Sequence, residues 1–218
     1  RDNDNTTTDK LMLINCNSLC RLDQMRSFDG TFSEGASLNS VAWTGLRNPS
    51  ILWTYGLSNN VLALDIYFQQ HILMDVYPMA PMPKNDHSIN PGSEVVEKAY
   101  RDYAALFNEM HGARWILSAN PVSVSAVSPV TSNTIDTEGP ALANIFTTPT
   151  SNVHVITVML GSSTTQVSLS VDTEQTRTST LVEFSALYPG VGDTPTKLGN
   201  ATKQASGVWV LTVPLVRG

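Results

Sequence analysis

The feature that most constrains the fold of this chain is a change of texture near residue 120. Before it, strand-like and helix-like segments alternate. KLMLINCN (10–17) is a short apolar run ending in polar residues, the pattern of a buried parallel strand. SLNSVAWTGLRN (37–48) reads as a helix, with Ser37 as its cap and Pro49 as its stop. SILWTYG (50–56) is a second buried strand, closed by Gly56. In NNVLALDIYFQQHILMDV (59–76), Val61, Leu64 and Phe68 recur at helical spacing, and Leu62, Ile66 and Leu73 widen the apolar face. A Pro-rich stretch (77–92) reads as a long loop. SEVVEKAYRDYAALFNEMHG (93–112) is a helix capped by Ser93, with acids in its first turn and Gly112 at its end. ARWILSA (113–119) is a third strand. Alternation of this kind predicts right-handed β-α-β units and a parallel sheet. Three strands cannot close a barrel of eight, so the chain is expected to be a piece of something longer.

From residue 120 onward Ser, Thr and Val dominate. PVSVSAVSP (121–129), ANIFTTP (143–149), VHVITVML (153–160), TQVSLSVD (165–172), STLVEFSAL (179–187) and GVWVLTVPL (207–215) each alternate or run apolar. Turn residues such as GSS, YPGVGD and KLGN separate them. Short strands at this spacing predict an antiparallel β-sandwich. The expected fold class is thus α/β followed by all-β, with domains at 1–119 and 120–218. A length of 218 residues suits one large domain or two small ones.

Composition narrows the function classes. Hydrophobic residues make up 41 % of the chain and charged residues 15 %, too apolar for disorder and lightly charged for a cytosolic domain. A net charge of −6 argues against a nucleic-acid partner, which needs a basic stripe. No run of about 18 apolar residues occurs, so no membrane span is expected. The opening RDNDNTTTDK lacks a signal-peptide core, so either a leader has been removed or the chain is excised from a longer one. Sequons at Asn5 and Asn200, with a surplus of Thr, Ser and Asn over Lys and Glu, point to secretion. Cys16 and Cys20 read first as buried thiols, then as a local disulfide and last as metal ligands, since C-x-x-x-C is not a usual zinc spacing.

Ligands of parallel sheets gather beyond the carboxyl ends of the strands. SFDGTFSEG (27–35), read as part of the connection after the first strand, carries Asp29 and Glu34 on either side of a Gly-Thr-Phe-Ser turn. Two carboxylates so placed can serve as acid and base, or as nucleophile and acid. Alternatively, Asp29 makes a turn with Gly30, and Glu34 caps or solvates the next helix. PKNDHSINP places Asp86 and His87 in a long loop, where they can bind sugar hydroxyls or orient an acid, or form an Asx turn with an exposed His. A metal site there needs another ligand and none can be named, so neither metal nor cofactor is expected. His71 reads as packed or surface, Asp75 as structural or site-facing, and His111 and His154 as structural. Trp53 and Tyr55, at a strand's carboxyl end, divide between core and a sugar-stacking platform; Phe32 and Tyr77 are expected in loops. Trp43, Trp115 and Trp209 are expected in the core. Asn15, Asn17 and Arg21 end the first strand, where buried polar groups must satisfy one another or a ligand. No G-x-S-x-G nucleophile turn and no glycine-rich phosphate loop occurs.

With those residues in hand, the chain resembles the C-terminal part of a glycoside hydrolase in which a (β/α)8 barrel precedes a small β-sandwich. The resemblance rests on INCN, FDGTFSEG, GLRNPSILWTYG and YRDYAALFNEMHGARWILSANPVSV. It covers most of the chain at the level of architecture, and the earlier barrel strands are missing. It implies hydrolysis of a glycosidic bond at the barrel rim, with Glu34 as general acid or acid/base and Asp29 as nucleophile, base or substrate-positioning group. Asn17, Arg21, Trp53, Tyr55, Asp86 and His87 would bind a carbohydrate partner. A non-catalytic carbohydrate-binding or adhesion protein, and a structural surface module, are the competing expectations.

Overall fold

The computed structural model of the chain describes residues 12–15, 28–34, 38, 50–53, 57, 59–79, 93–118, 120–126, 141–149, 153–160, 166–186 and 196–214. Two compact units form: residues 1–57 with 75–91, and residues 58–74 with 92–218.

The first unit holds β1 (Leu13–Asn15), β2 (Gly30–Glu34), β3 (Ser50–Trp53) and β4 (Val76–Pro78). They lie side by side in chain order, and every pair is parallel. β2 is built from Gly-Thr-Phe-Ser-Glu, residues that locally favour a turn. Burial overrides that preference. Thr31 and Ser33 alternate along the strand and are nearly solvent-free, as are Ser50, Leu52 and Val76 on the neighbouring strands. Thr31 Oγ1 donates to Ser50 Oγ at 2.9 Å. These two residues are register partners. A buried hydroxyl left alone costs about 1–3 kcal/mol, and here each serves the other. At the amino ends, Asp29 N donates to Met12 O at 2.9 Å, and Met12 N donates to Asp29 Oδ2 at 3.0 Å. Past the end of β4, Met79 N donates to Leu52 O at 3.0 Å.

The expected fold class, a partial (β/α) barrel with a trailing β-sandwich, is overturned. Among the described residues strands predominate, three helices occur, several sheets are antiparallel, and no helix–strand barrel pattern is evident. Two particular readings fail. GTFSE, expected as a turn, is a strand, which also moves Phe32 out of a loop; Tyr77 likewise lies in β4. ARWILSA, expected in the parallel sheet, contributes only β5 (Arg114–Trp115), which pairs antiparallel with β7 (Ala141–Thr147) in another sheet. An apolar run reports that a strand is buried but says nothing of its partner's direction.

The second unit begins with α1 (Val61–Leu73), capped by Asn60, whose side chain accepts from Ala63 N at 3.1 Å. α2 (Glu94–Glu109) has Ser93 at its cap position, although the Ser93 side chain makes no capping bond. Glu97 and Arg101 form an i, i+4 ion pair at 2.8 Å on its exposed surface, and Lys98 pairs with Asp102. The two helices meet on rings. Phe68, fully buried, stacks on Tyr103 with centroids 4.8 Å apart and meets Tyr100 edge-on at 4.9 Å. Tyr103 Oη donates to Asp65 Oδ1 at 3.0 Å, so the hydroxyl of the stacked ring is satisfied. After α2 the chain turns through Gly112 at φ +74°, where an added Cβ would lie 2.9 Å from Pro149 Cγ. Positive φ and the close ring both demand glycine.

The remaining strands pair antiparallel. β5, β7 and β8 (His154–Leu160) form one sheet, and Asn144 on β7 donates from Nδ2 to Leu73 O at 2.6 Å, tying it to the end of α1. β6 (Val122–Ala126), β9 (Gln166–Val171), β12 (Thr202–Lys203) and β13 (Trp209–Pro214) form a second in the order β12-β13-β9-β6. β10 (Glu183–Ala186) and β11 (Thr196–Asn200) form a third. Val167, Leu169 and Val213 centre the core, with Val124, Val158, Phe184, Leu198 and Leu211 packed around them. α3 (Glu174–Thr178) starts from a reciprocal cap in which Thr173 Oγ1 accepts from Thr176 N at 3.1 Å and Thr176 Oγ1 accepts from Thr173 N at 2.9 Å. Buried Trp209 donates from Nε1 to Thr176 O at 2.8 Å, fastening that helix to β13.

Candidate functional site

The carboxyl ends of the four parallel strands are Asn15, Glu34, Trp53 and Pro78. Glu34 and Trp53 are register partners, the last pair of the β2–β3 ladder. Adjacent strands lie about 4.8 Å apart, so the backbones of an expected acid and an expected sugar platform are immediate neighbours. Asn15 ends β1 opposite Phe32, two positions before Glu34.

Asp29 is elsewhere. It precedes the first residue of β2, whereas Glu34 is the last. An extended chain rises about 3.3 Å per residue, which separates the two backbones by about 16 Å. Paired glycosidase carboxyls stand about 5–9.5 Å apart. Asp29 is exposed; its backbone N–H donates to Met12 O and its carboxylate accepts from Met12 N–H. The expected pair is thus split between opposite ends of one strand, and Asp29 closes the ladder at the end away from Glu34.

Asn17, Arg21, Tyr55, Asp86 and His87 lie outside the described residues, as do Cys16, Cys20 and Trp43. In the sequence, Asn17 and Arg21 follow the carboxyl end of β1, Tyr55 that of β3, and Asp86 and His87 that of β4.

One group that the sequence left open between structure and site has a distinct environment. Asp75 is 7 % exposed, sits at φ +51°, and its Oδ1 has no hydrogen-bond partner among the described residues. Burial pushes its carboxyl up to about 7. Tyr77 is pushed up to about 12, first by its own burial and then by Asp75. Asp75 directly precedes Val76, the partner of Ser50 at the start of β3, so it stands at the amino end of the sheet. Its signal in the sequence is a lone acid inside HILMDVY.

His71 is buried on α1 with its ring 4.3 Å from that of Tyr67. His111 is exposed, and half-buried His154 opens β8, its pKa lowered by desolvation. Trp115 packs edge-on to Phe146 at 4.9 Å. A groove of about 160 Å³ between α1 and α2 is lined by Val61, Leu64 and Val95 and edged by Asp65, Lys98 and Asp102. It is smaller than typical ligand pockets, and its charges are already engaged within the two helices. Among the described residues no three His, Cys, Asp or Glu side chains group to hold a metal ion, and no helix is long and apolar enough to cross a membrane. Comparison with protein-family models, with curated proteins and with solved structures returned no match.

Proposed function

We propose that this chain belongs to a secreted enzyme that hydrolyses glycosidic bonds, with Glu34 as the general acid or acid/base. The observation that carries the reading is the register of Glu34 with Trp53 at the carboxyl end of a parallel sheet, the edge where such sheets bind ligands. The sequence adds support, because the expected sugar-binding residues Asn17, Arg21, Tyr55, Asp86 and His87 follow the carboxyl ends of three of these strands, β1, β3 and β4. Hydrolysis needs two carboxyls flanking the bond. Asp29 does not supply the second. Of the other acids in the stretches that leave this edge, Asp65 accepts from Tyr103 and Asp75 stands at the amino end of the sheet; Asp23 and Asp86 remain, and either one can act as nucleophile or base opposite Glu34.

Glu34→Gln in the full-length protein is expected to lower turnover of a glycoside panel by at least a hundredfold, the scale of general acid–base catalysis, while the thermal midpoint stays unchanged. Asp29→Asn is expected to retain turnover. Unchanged turnover in Glu34→Gln overturns the assignment. The separation of Asp29 from Glu34 also favours a second reading, a non-catalytic carbohydrate-binding protein, which predicts glycan affinity that survives both substitutions and no turnover in the parent.

A further inference from the structure

The sequon Asn200-Ala201-Thr202 falls at the junction of β11 and β12. Asn200 and Thr202 are exposed, while Ala201 between them is buried and donates its backbone N–H to Val182 O at 2.9 Å. The Asn200 side chain makes no hydrogen bond among the described residues. Its approach is shaped by the preceding residue: Gly199 stands at φ +141°, and the β10–β11 register shifts between Phe184 and Ser185. Such a bulge bends its strand and increases the local twist. Asn200 pairs with Glu183, where the β10–β11 register ends. Leu181, two residues before Glu183, is a large apolar residue left 59 % exposed.

We propose that Asn200 is an N-glycan attachment site. The reaction joins the Asn200 Nδ2 to the anomeric carbon of a lipid-pyrophosphate-linked oligosaccharide. The bond from that carbon to the pyrophosphate oxygen breaks, Nδ2 loses a proton, and the lipid pyrophosphate leaves. Thr202 supplies the hydroxyl that the transferase requires two residues on. An exposed amide at a strand end accepts this bulk at the surface, while the core residues Trp209 and Val213 are buried. The inference rests on the secreted location proposed above and is independent of the glycosidase reading.

The test is expression of the full chain in a eukaryotic secretory host behind a heterologous leader, which forces entry into the lumen whatever the native location. A peptide N-glycosidase is expected to convert Asn200 to Asp, read by peptide mass spectrometry. Asn200→Gln and Thr202→Ala should each remove one glycan step on a gel, Thr202→Ser should keep it, and Asn5→Gln should leave the Asn200 step intact. Recovery of Asn200 unmodified from the secreted chain overturns the site. Failure of the Glu34 variant to change turnover would leave this result untouched.

Discussion

Asp75 shows how one residue can set the pH response of a unit. Its carboxyl titrates near 7 when folded because burial disfavours the charge, whereas an unfolded Asp titrates near 4. Between about pH 4 and 7 the folded chain therefore binds more protons than the unfolded chain, and stability falls as pH rises. Above about pH 7 both states are ionised and the loss levels off. The span corresponds to a loss on the order of 4 kcal/mol. Asp75→Asn keeps the shape, tolerates positive φ and cannot ionise. The variant should match the parent near pH 4 and exceed it in stability at pH 8, as read by urea melts at the two pH values. Equal pH slopes in both proteins would remove Asp75 as the cause. Asp75 was legible as an outlier in HILMDVY, but its unpaired oxygen and left-handed backbone were not, since both depend on what surrounds it. The same holds for Thr31 and Ser50. As isolated hydroxyls in the sequence they favour turns, and only their mutual bond makes them residues of a sheet interior.

At the level of elements, periodicity did well where one face is buried over several turns. The patterns at 59–76 and 93–112 became α1 and α2, and the six alternating segments after residue 120 each contain a strand. Short elements escaped. α3, β11 and β12 are two to five residues long and owe their existence to contacts made far along the chain, such as the Trp209 bond to Thr176. The site was legible in the same uneven way. Trp53 was named from a strand end and Glu34 from the connection after the first strand, and the register puts their backbones together, but the partnership of Asp29 with Glu34 assumed a turn where a strand holds them apart. The weight borne by α1 and α2 is concentrated in Phe68, which touches four other rings and excludes solvent. Phe68→Ala should cost about 3–5 kcal/mol by leaving a cavity among them, measured as a lower denaturation midpoint with an unchanged slope.

The whole molecule depends on pairings between distant parts of the chain. β6 pairs with β9 and β9 with β13, so the four-stranded antiparallel sheet is complete only when the last described strand is in place. Such topology is slow to fold because loop closure precedes any gain from contact. Deletion of residues 209–218 removes the strand between β9 and β12, together with buried Trp209 and Val213. The truncated chain should lose the cooperative urea transition of the second unit; a retained transition would show that β13 is dispensable.

The parallel strands of the first unit are only three to five residues long, while the stretches between them run over 16–29, 35–49 and 54–75. The ladder hydrogen bonds fix the frame with very few side chains. Sequence changes within 16–27 and 35–49 should therefore leave the ladder standing, whereas 54–75 carries α1 of the second unit and cannot be exchanged alone.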